Sequence, residues 1–263
     1  MDLQLAKKIV FISGASKGLG FASALQFARE GAQVIINSRD DVRLTQAAES
    51  IEKETRQPVI PISGDITLPE TVDKIISTIR EQFGVLDVLV CNAGGPPAGP
   101  FESFTDEQWL SAVNLSFLSQ VRLIRQSLPL LRKSDSASVV TVTSVSIRQP
   151  IDNLILSNSV RAATAGLTKS LAIELGKEQI RFNSILPGWT NTERVSALMD
   201  ARAKKNNSTL KEEMAKQTAE IPLQRMAEPQ EFANALVFLA SPAASYINGV
   251  MLTVDGGLYK GTA

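Results

Sequence analysis

The chain has 263 residues, 44% of them apolar and 21% charged, the proportions of a globular protein with volume for a large core. Lysine plus arginine and aspartate plus glutamate both total 27, so no net charge favours nucleic acid or an anionic membrane surface. Histidine is absent and the only cysteine is Cys91, which excludes an internal disulfide framework and argues against zinc chemistry and Ser-His-Asp hydrolysis.

Short apolar runs alternate with helical spacing along the first two thirds. Residues 8–13 are expected as the first strand, 21–30 as a helix, 33–38 as the second strand and 42–55 as a polar helix. A third strand over 59–63 ends at Asp65, and the spacing of Val72, Ile75, Ile76 and Ile79 predicts a helix over 69–83. Residues 85–91 form a continuous apolar run, as in a sheet covered on both faces, and lead into the stiff Gly- and Pro-rich loop 92–100. One long helix is expected over 106–132, a fifth strand over 137–143, a helix over 158–176 and a sixth strand over 181–185. Residues 192–221 read as a polar, mobile helical insertion over the substrate cleft, 229–240 as a helix and 250–254 as the closing strand. The order predicts one α/β domain over 1–263, a doubly wound parallel sheet of about seven strands with helices on both faces. Ligands of such sheets gather beyond the carboxyl ends of the strands.

The chemistry concentrates first at Ser13-Gly14-Ala15-Ser16-Lys17-Gly18-Leu19-Gly20, between a strand and a helix. Glycines there let the backbone turn and approach a phosphate, which the free N–H groups of the helix start attract. Alone such glycines serve any turn; in the order strand, loop, helix they point to a nucleotide. After the second strand stand Ser38 and Arg39 rather than an acid, and Lys17 lies in the loop. An acid at that point would accept the ribose hydroxyl of NAD, so this set favours the 2′-phosphate of NADP.

Taken together, the chain resembles the short-chain dehydrogenase/reductase family, in particular its 3-oxoacyl-acyl-carrier-protein reductase-like branch. Beyond Gly14, Ser16, Lys17, Gly18, Leu19 and Gly20, the resemblance is carried by Asp65-Ile66, Asn92-Ala93-Gly94, Asn114, Ser144, the segment Pro187-Gly188 with Thr190 and Thr192, and Asp255-Gly256-Gly257. It implies a Rossmann-type fold, with Asp65 and Ile66 at the adenine, Asn92, Ala93 and Gly94 supporting the central strand at the cofactor, and Pro187, Gly188, Thr190 and Thr192 beside the nicotinamide. It also implies catalytic roles for Asn114 and Ser144, and a homotetramer built partly on the helix carrying Ala162, Ala163, Ala165 and Gly166.

The family's tyrosine, thirteen residues after its serine, and its lysine four further on fall here on Ser157 and Arg161. The tyrosine donates the proton and the lysine tunes it and binds the ribose. An aliphatic hydroxyl is a far poorer acid than a tyrosine of pKa ~10, and an arginine does not release its proton. Arg161 is therefore expected to bind ribose hydroxyls and to stabilise a developing oxyanion beside Ser144. Ser157 is either a proton relay or merely a helix cap.

The expected function is an NADP-dependent oxidoreductase with an altered site, moving hydride between nicotinamide and a carbonyl or quinone-like substrate. The alternatives are a non-catalytic or regulatory NADP-binding protein and 3-oxoacyl-acyl-carrier-protein reductase activity proper. The nearly charge-free loop 94–100 suggests an uncharged or partly apolar acceptor. No metal, nucleic-acid or membrane partner is expected, and the absence of a cleavable leader or spanning run suggests the cytoplasm.

Overall fold

The computed structural model describes residues 1–262. Strands β1 (Ile9–Ile12), β2 (Gln33–Ser38), β3 (Val59–Ser63), β4 (Val88–Cys91), β5 (Ser138–Val142), β6 (Arg181–Pro187) and β7 (Met251–Val254) form one sheet ordered β3-β2-β1-β4-β5-β6-β7. Every neighbouring pair is parallel. Strand direction explains the apolar runs. Val10, Ile12, Val34, Ile36, Val88 and Val90 pack on one face, whereas Ile9, Phe11, Ile35, Leu89 and Cys91 pack on the other. Alternation at period two with both faces buried leaves no polar register in these strands. Cys91 is thus a packing residue, and burial holds its thiol well above the usual range.

Helices α1 (Gly18–Arg29), α2 (Asp41–Thr55) and α9 (Pro229–Ala240) cover the first face; α3 (Pro69–Gln82), α5 (Ser119–Leu131) and α6 (Ile155–Glu174) cover the second. The helix expected over 106–132 is continuous but not uniform. It comprises α4 (Asp106–Val113), a π-turn over Asn114–Leu118 and α5. Side chains of Gln120 and Thr164 donate to the Ser116 carbonyl within that turn, at 2.9 and 3.0 Å. Such bulges shift the helix phase and recur at functional sites.

The insertion folds as two helices, α7 (Glu193–Asn206) and α8 (Leu210–Glu220), broken where Asn207 turns left-handed. Trp189, Val195, Met199, Ile221 and Met226 give it a small core of its own. The strand order reverses between β1 and β4, so the helices that follow them leave to opposite faces. The crevice this opens, at the carboxyl ends of the strands, is where the site assembles.

Candidate active site

The loop after β1 is held from β4. Ser13 Oγ donates to the Asn92 carbonyl at 2.8 Å and accepts from the Asn92 N–H at 3.0 Å. The Asn92 amide donates to the Gly14 carbonyl at 3.0 Å. Gly20 is obligatory, since a Cβ there would stand 2.3 Å from the Gly14 carbonyl oxygen. At the start of α1, Lys17 supplies no side-chain cap, so the first-turn N–H groups are not capped by their own N-cap residue. Thr192 packs across from Gly18, its methyl 3.6 Å from where a Cβ would lie. Ser16 and Leu19 are half-buried between them. A dinucleotide fits this frame: the glycines clear the backbone, the helix start faces it, and the space beside Gly94 is open for at least 4 Å.

At the end of β2, the cations of the expected phosphate receptor are engaged with carboxylates. Arg39 lies 3.8 Å from Asp65, whose carboxylate also accepts from the Thr67 N–H at 2.9 Å. Lys17 pairs with Glu193 of α7, and Arg43 approaches the same carboxylate at 3.7 Å. Ser38 and Arg39 remain at the rim, and Ile66 is buried behind Asp65. Arg43 is a member of this cluster that sequence reading did not single out. Its place in the first turn of α2, one turn past Arg39, was the available signal.

Beyond β5, Ser144 caps a 3-10 turn, its Oγ accepting the Ser146 N–H at 3.1 Å. Ser157 is not a helix cap. Helix α6 begins at Ile155, three residues before the expected start, which places Ser157 inside the first turn with its side chain buried. Arg161, one turn on, is only 8% exposed. Its Nε donates to Ser157 Oγ at 3.2 Å, its Nη1 to the carbonyls of Val142 and Thr143 at 2.9 and 3.0 Å, and its Nη2 to that of Ala93 at 3.5 Å. One guanidinium thereby ties the ends of β4 and β5 to Ser157, within one peptide of Ser144. Burial, and then the charge of Arg194, lower its pKa to about 10. It stays protonated throughout the neutral range.

Asn114 opens the π-turn. Its side-chain amide oxygen accepts from Arg122 Nη1 at 2.7 Å, and the same nitrogen donates to the Thr67 carbonyl at 3.1 Å. On the far side, the Gly188 N–H donates to Val254, and a Cβ on Gly188 would lie 2.6 Å from Asp255 Cβ. Pro187 therefore leads directly into the wall, with Thr190 buried and Thr192 capping α7 at Val195. The glycine loop, Asn92, Ala93, Ser144, Ser157 and Arg161 thus form a connected set, whereas Asn114 is tied to the Arg122–Thr67 contact.

A family model described as enoyl-(acyl carrier protein) reductase matches residues 14–259. The 3alpha-hydroxysteroid dehydrogenase of Mediterraneibacter gnavus is 33% identical over 97% of this chain and 98% of its own. The chain is a short-chain dehydrogenase/reductase. The L-rhamnose-1-dehydrogenase of Scheffersomyces stipitis is also 33% identical, with 96% of each chain covered. A crystal structure of L-sorbose reductase from Gluconobacter frateurii, in complex with NADPH and L-sorbose, has a TM-score of 0.94 at 33% identity, covering 99% of this chain and all of that one.

Two features of this dehydrogenase/reductase complete the site. A cleft of about 570 Å³ opens beyond Val145, between residues 149–153 and the helices α7 and α8. Gln149, Asn153, Asn206 and Gln217 contribute amides to it, and Trp189 lines it with Arg202 held 5.3 Å over the ring. Trp189 so belongs both to the cleft and to the core of the insertion. The second feature, which the sequence reading did not single out, is Arg194, whose Nη2 donates to the Pro96 carbonyl at 2.7 Å. The loop 94–100 carries no charge of its own, but α7 delivers one to it. No described helix of the dehydrogenase/reductase is long and apolar enough to cross a membrane.

Proposed function

We propose that this dehydrogenase/reductase uses NADPH to reduce a carbonyl through an altered site in which two serine hydroxyls and a buried guanidinium stand where the family has serine, tyrosine and lysine. The relatives named as reductases and dehydrogenases support the reaction class, and the NADPH in the L-sorbose reductase crystal supports the cofactor. Lys17, Ser38, Arg39 and Arg43 would receive the 2′-phosphate, with no acid at the end of β2 to repel it. Gly14, Gly18 and Gly20 with the start of α1 would receive the diphosphate, and Ala93, Gly94, Pro187, Gly188, Thr190 and Thr192 would border the nicotinamide.

The observation that carries this reading is the direction of two hydrogen bonds. Ser144 Oγ accepts from the Ser146 N–H, and Ser157 Oγ accepts from Arg161 Nε. Each hydroxyl is used as an acceptor toward the protein, and among the described residues none takes either hydroxyl proton. Both hydrogens are therefore available to a carbonyl oxygen. The nicotinamide, when bound, supplies the hydride. As negative charge develops on the oxygen, the two hydroxyls donate to it, and the Arg161 charge behind Ser157 stabilises it in a poorly solvated place. The proton comes from water through the cleft, relayed by Ser157, because Arg161 keeps its own. Asn114 takes the supporting role that its π-turn and Arg122 contact suggest.

Stopped-flow NADPH oxidation over ketones, oxoacyl thioesters, diketones and quinones tests the reading. Ser144→Ala and Ser157→Ala should each lower turnover roughly 10²–10³-fold, with NADPH affinity kept. Turnover undiminished in Ser157→Ala would sink the altered site. A second reading, a protein that binds NADPH without turnover, draws on Arg161 committing its donors to Ser157 and three carbonyls. Binding with no acceptor reduced would favour it, and selective reduction of oxoacyl thioesters would favour the acyl-carrier branch. The protein is further proposed to be a cytoplasmic homotetramer. Ala162, Ala163 and Gly166 of α6 face outward beside Ile173, which is 75% exposed, and light scattering should find four chains per particle.

A further inference from the structure

The first turn of α7 sends two neighbouring side chains to opposite walls of the crevice. Glu193 turns to Lys17 and Arg43, on the side of the glycine loop. Arg194 turns the other way, to the loop that follows β4. Its Nη2 donates to the Pro96 carbonyl and lies where a side chain on Gly95 would have to go, 2.7 Å from that Cβ position. Arg161 approaches the same loop through the Ala93 carbonyl. Two guanidiniums are thus anchored at 93 and 96, on either side of Gly94, and the space beside Gly94 is empty for 4 Å.

Among the described residues, neither guanidinium has a carboxylate partner. Like charges in a partly desolvated place are costly unless an anion joins them. Both arginines register this: burial, and then Arg194, lower the Arg161 pKa, and burial lowers that of Arg194. Arg194 is exposed, so a ligand can reach it.

We propose that Arg194 is the receptor for a carboxylate on the carbonyl substrate, with Arg161 adding its charge from beneath, so that the acceptor is an oxo acid rather than a neutral ketone. This rests on the reductase reading above. The guanidinium edge presents parallel N–H groups matched to the two oxygens of a carboxylate. The cofactor diphosphate is the other anion of the crevice. It is provided for by the start of α1, the side to which Glu193 rather than Arg194 points. The uncharged acceptor expected from the loop 94–100 considered alone gives way here, since the charge at that loop is supplied by α7.

The test compares 2-, 3- and 5-oxo acids of three to six carbons with their methyl esters. The better acids should exceed their esters in kcat/KM by roughly 30-fold or more. Arg194→Gln should reduce that ratio to near unity without loosening NADPH, measured by its fluorescence on binding. Arg194→Lys, which keeps the charge without the fork, should fall between. Calorimetric titration of the same acids into the protein with NADP⁺ reads carboxylate binding without turnover. Acid binding that depends on Arg194 in that titration would uphold the receptor even if no acceptor is reduced, in which case the reductase reading alone fails. Equal rates for acids and esters would overturn the proposal. So would acids that do not bind, or an Arg194→Gln variant whose defect lies in NADPH affinity, which would assign the arginine to the cofactor phosphates.

Discussion

Arg161 and Arg181 are the same residue in nearly the same degree of burial, 8% and 9% exposed, and in both desolvation lowers the pKa to about 10. Neither has an acidic partner among the described residues. They differ in what surrounds the charge. Arg181 donates from both Nη atoms to the carbonyls of Leu239, Ala240, Ser241 and Ile247, at 2.9–3.2 Å. The carbonyls of Leu239, Ala240 and Ser241 lie at the end of α9, where the helix leaves its last acceptors without intrahelical donors and carries the negative end of its dipole; that of Ile247 also accepts from Asn183. Arg181 completes a helix. Arg161 instead sits at strand ends, holds its last carbonyl loosely at 3.5 Å, and has a second cation for a neighbour. Burial alone does not separate a structural charge from a working one; compensation does.

That contrast is broken most directly by Arg161→Met. Turnover should fall by roughly 10²–10³-fold, as for loss of an oxyanion-stabilising group. Stability should fall by less than it does for Arg181→Met: the carbonyls of Val142 and Thr143 lose a donor, but a buried cation with a like-charged neighbour leaves with it. The thermal melt and single-turnover kinetics of one preparation decide both points. Arg181→Met should behave in the opposite sense. It strands the carbonyls at the end of α9 and should cost about 3 kcal/mol or more, leaving NADPH affinity per folded molecule unchanged. At this chain length that lowers Tm by roughly 6–12 °C. If the two variants lose stability equally and activity equally, the distinction drawn between them has no content.

A smaller effect comes from a buried acid compensated within the α7–α8 pair. Glu213 of α8 accepts from Lys216, Ser208 and Asn206, at 2.6, 2.7 and 3.2 Å. The Lys216 hydrogen bond and charge, with the Ser208 and Asn206 bonds, hold its carboxyl down to about 2. A depressed carboxyl contributes its stability above the unfolded value of roughly 4.3, and that contribution is lost as pH falls from there toward 2. The pair α7–α8 should therefore loosen across this acid window, ahead of the sheet. Trp189, buried in that small core, should report it by fluorescence in a Trp109→Phe background, and Glu213→Gln should flatten the response.

How much of this the sequence carried depends on the range of the interaction. The strands were legible because Val10, Ile12, Ile35 and Leu89 state their faces in their own alternation. The glycine loop was legible because Gly14 and Gly20 answer to local backbone geometry. The π-turn at Asn114 was not, since it depends on Thr164 from another helix filling the carbonyl it frees. Nor was the charge at Pro96, which Arg194 brings from 98 residues away. Ser157 illustrates the boundary case. Its position four before Arg161 places both on one helix face, but only the start of α6 at Ile155 excluded the capping role.

Under the proposed reading, a carboxylate already standing between Lys17 and Arg43 would make the arrival of a 2′-phosphate an exchange of anions rather than the filling of a vacant basic patch. Charge at the rim then changes by the difference between the two groups. The salt dependence of NADPH affinity should be shallower than the number of cations suggests. Glu193 shares the first turn of α7 with Arg194, so its displacement under the proposed reading would act on the helix that carries Arg194 to the opposite wall.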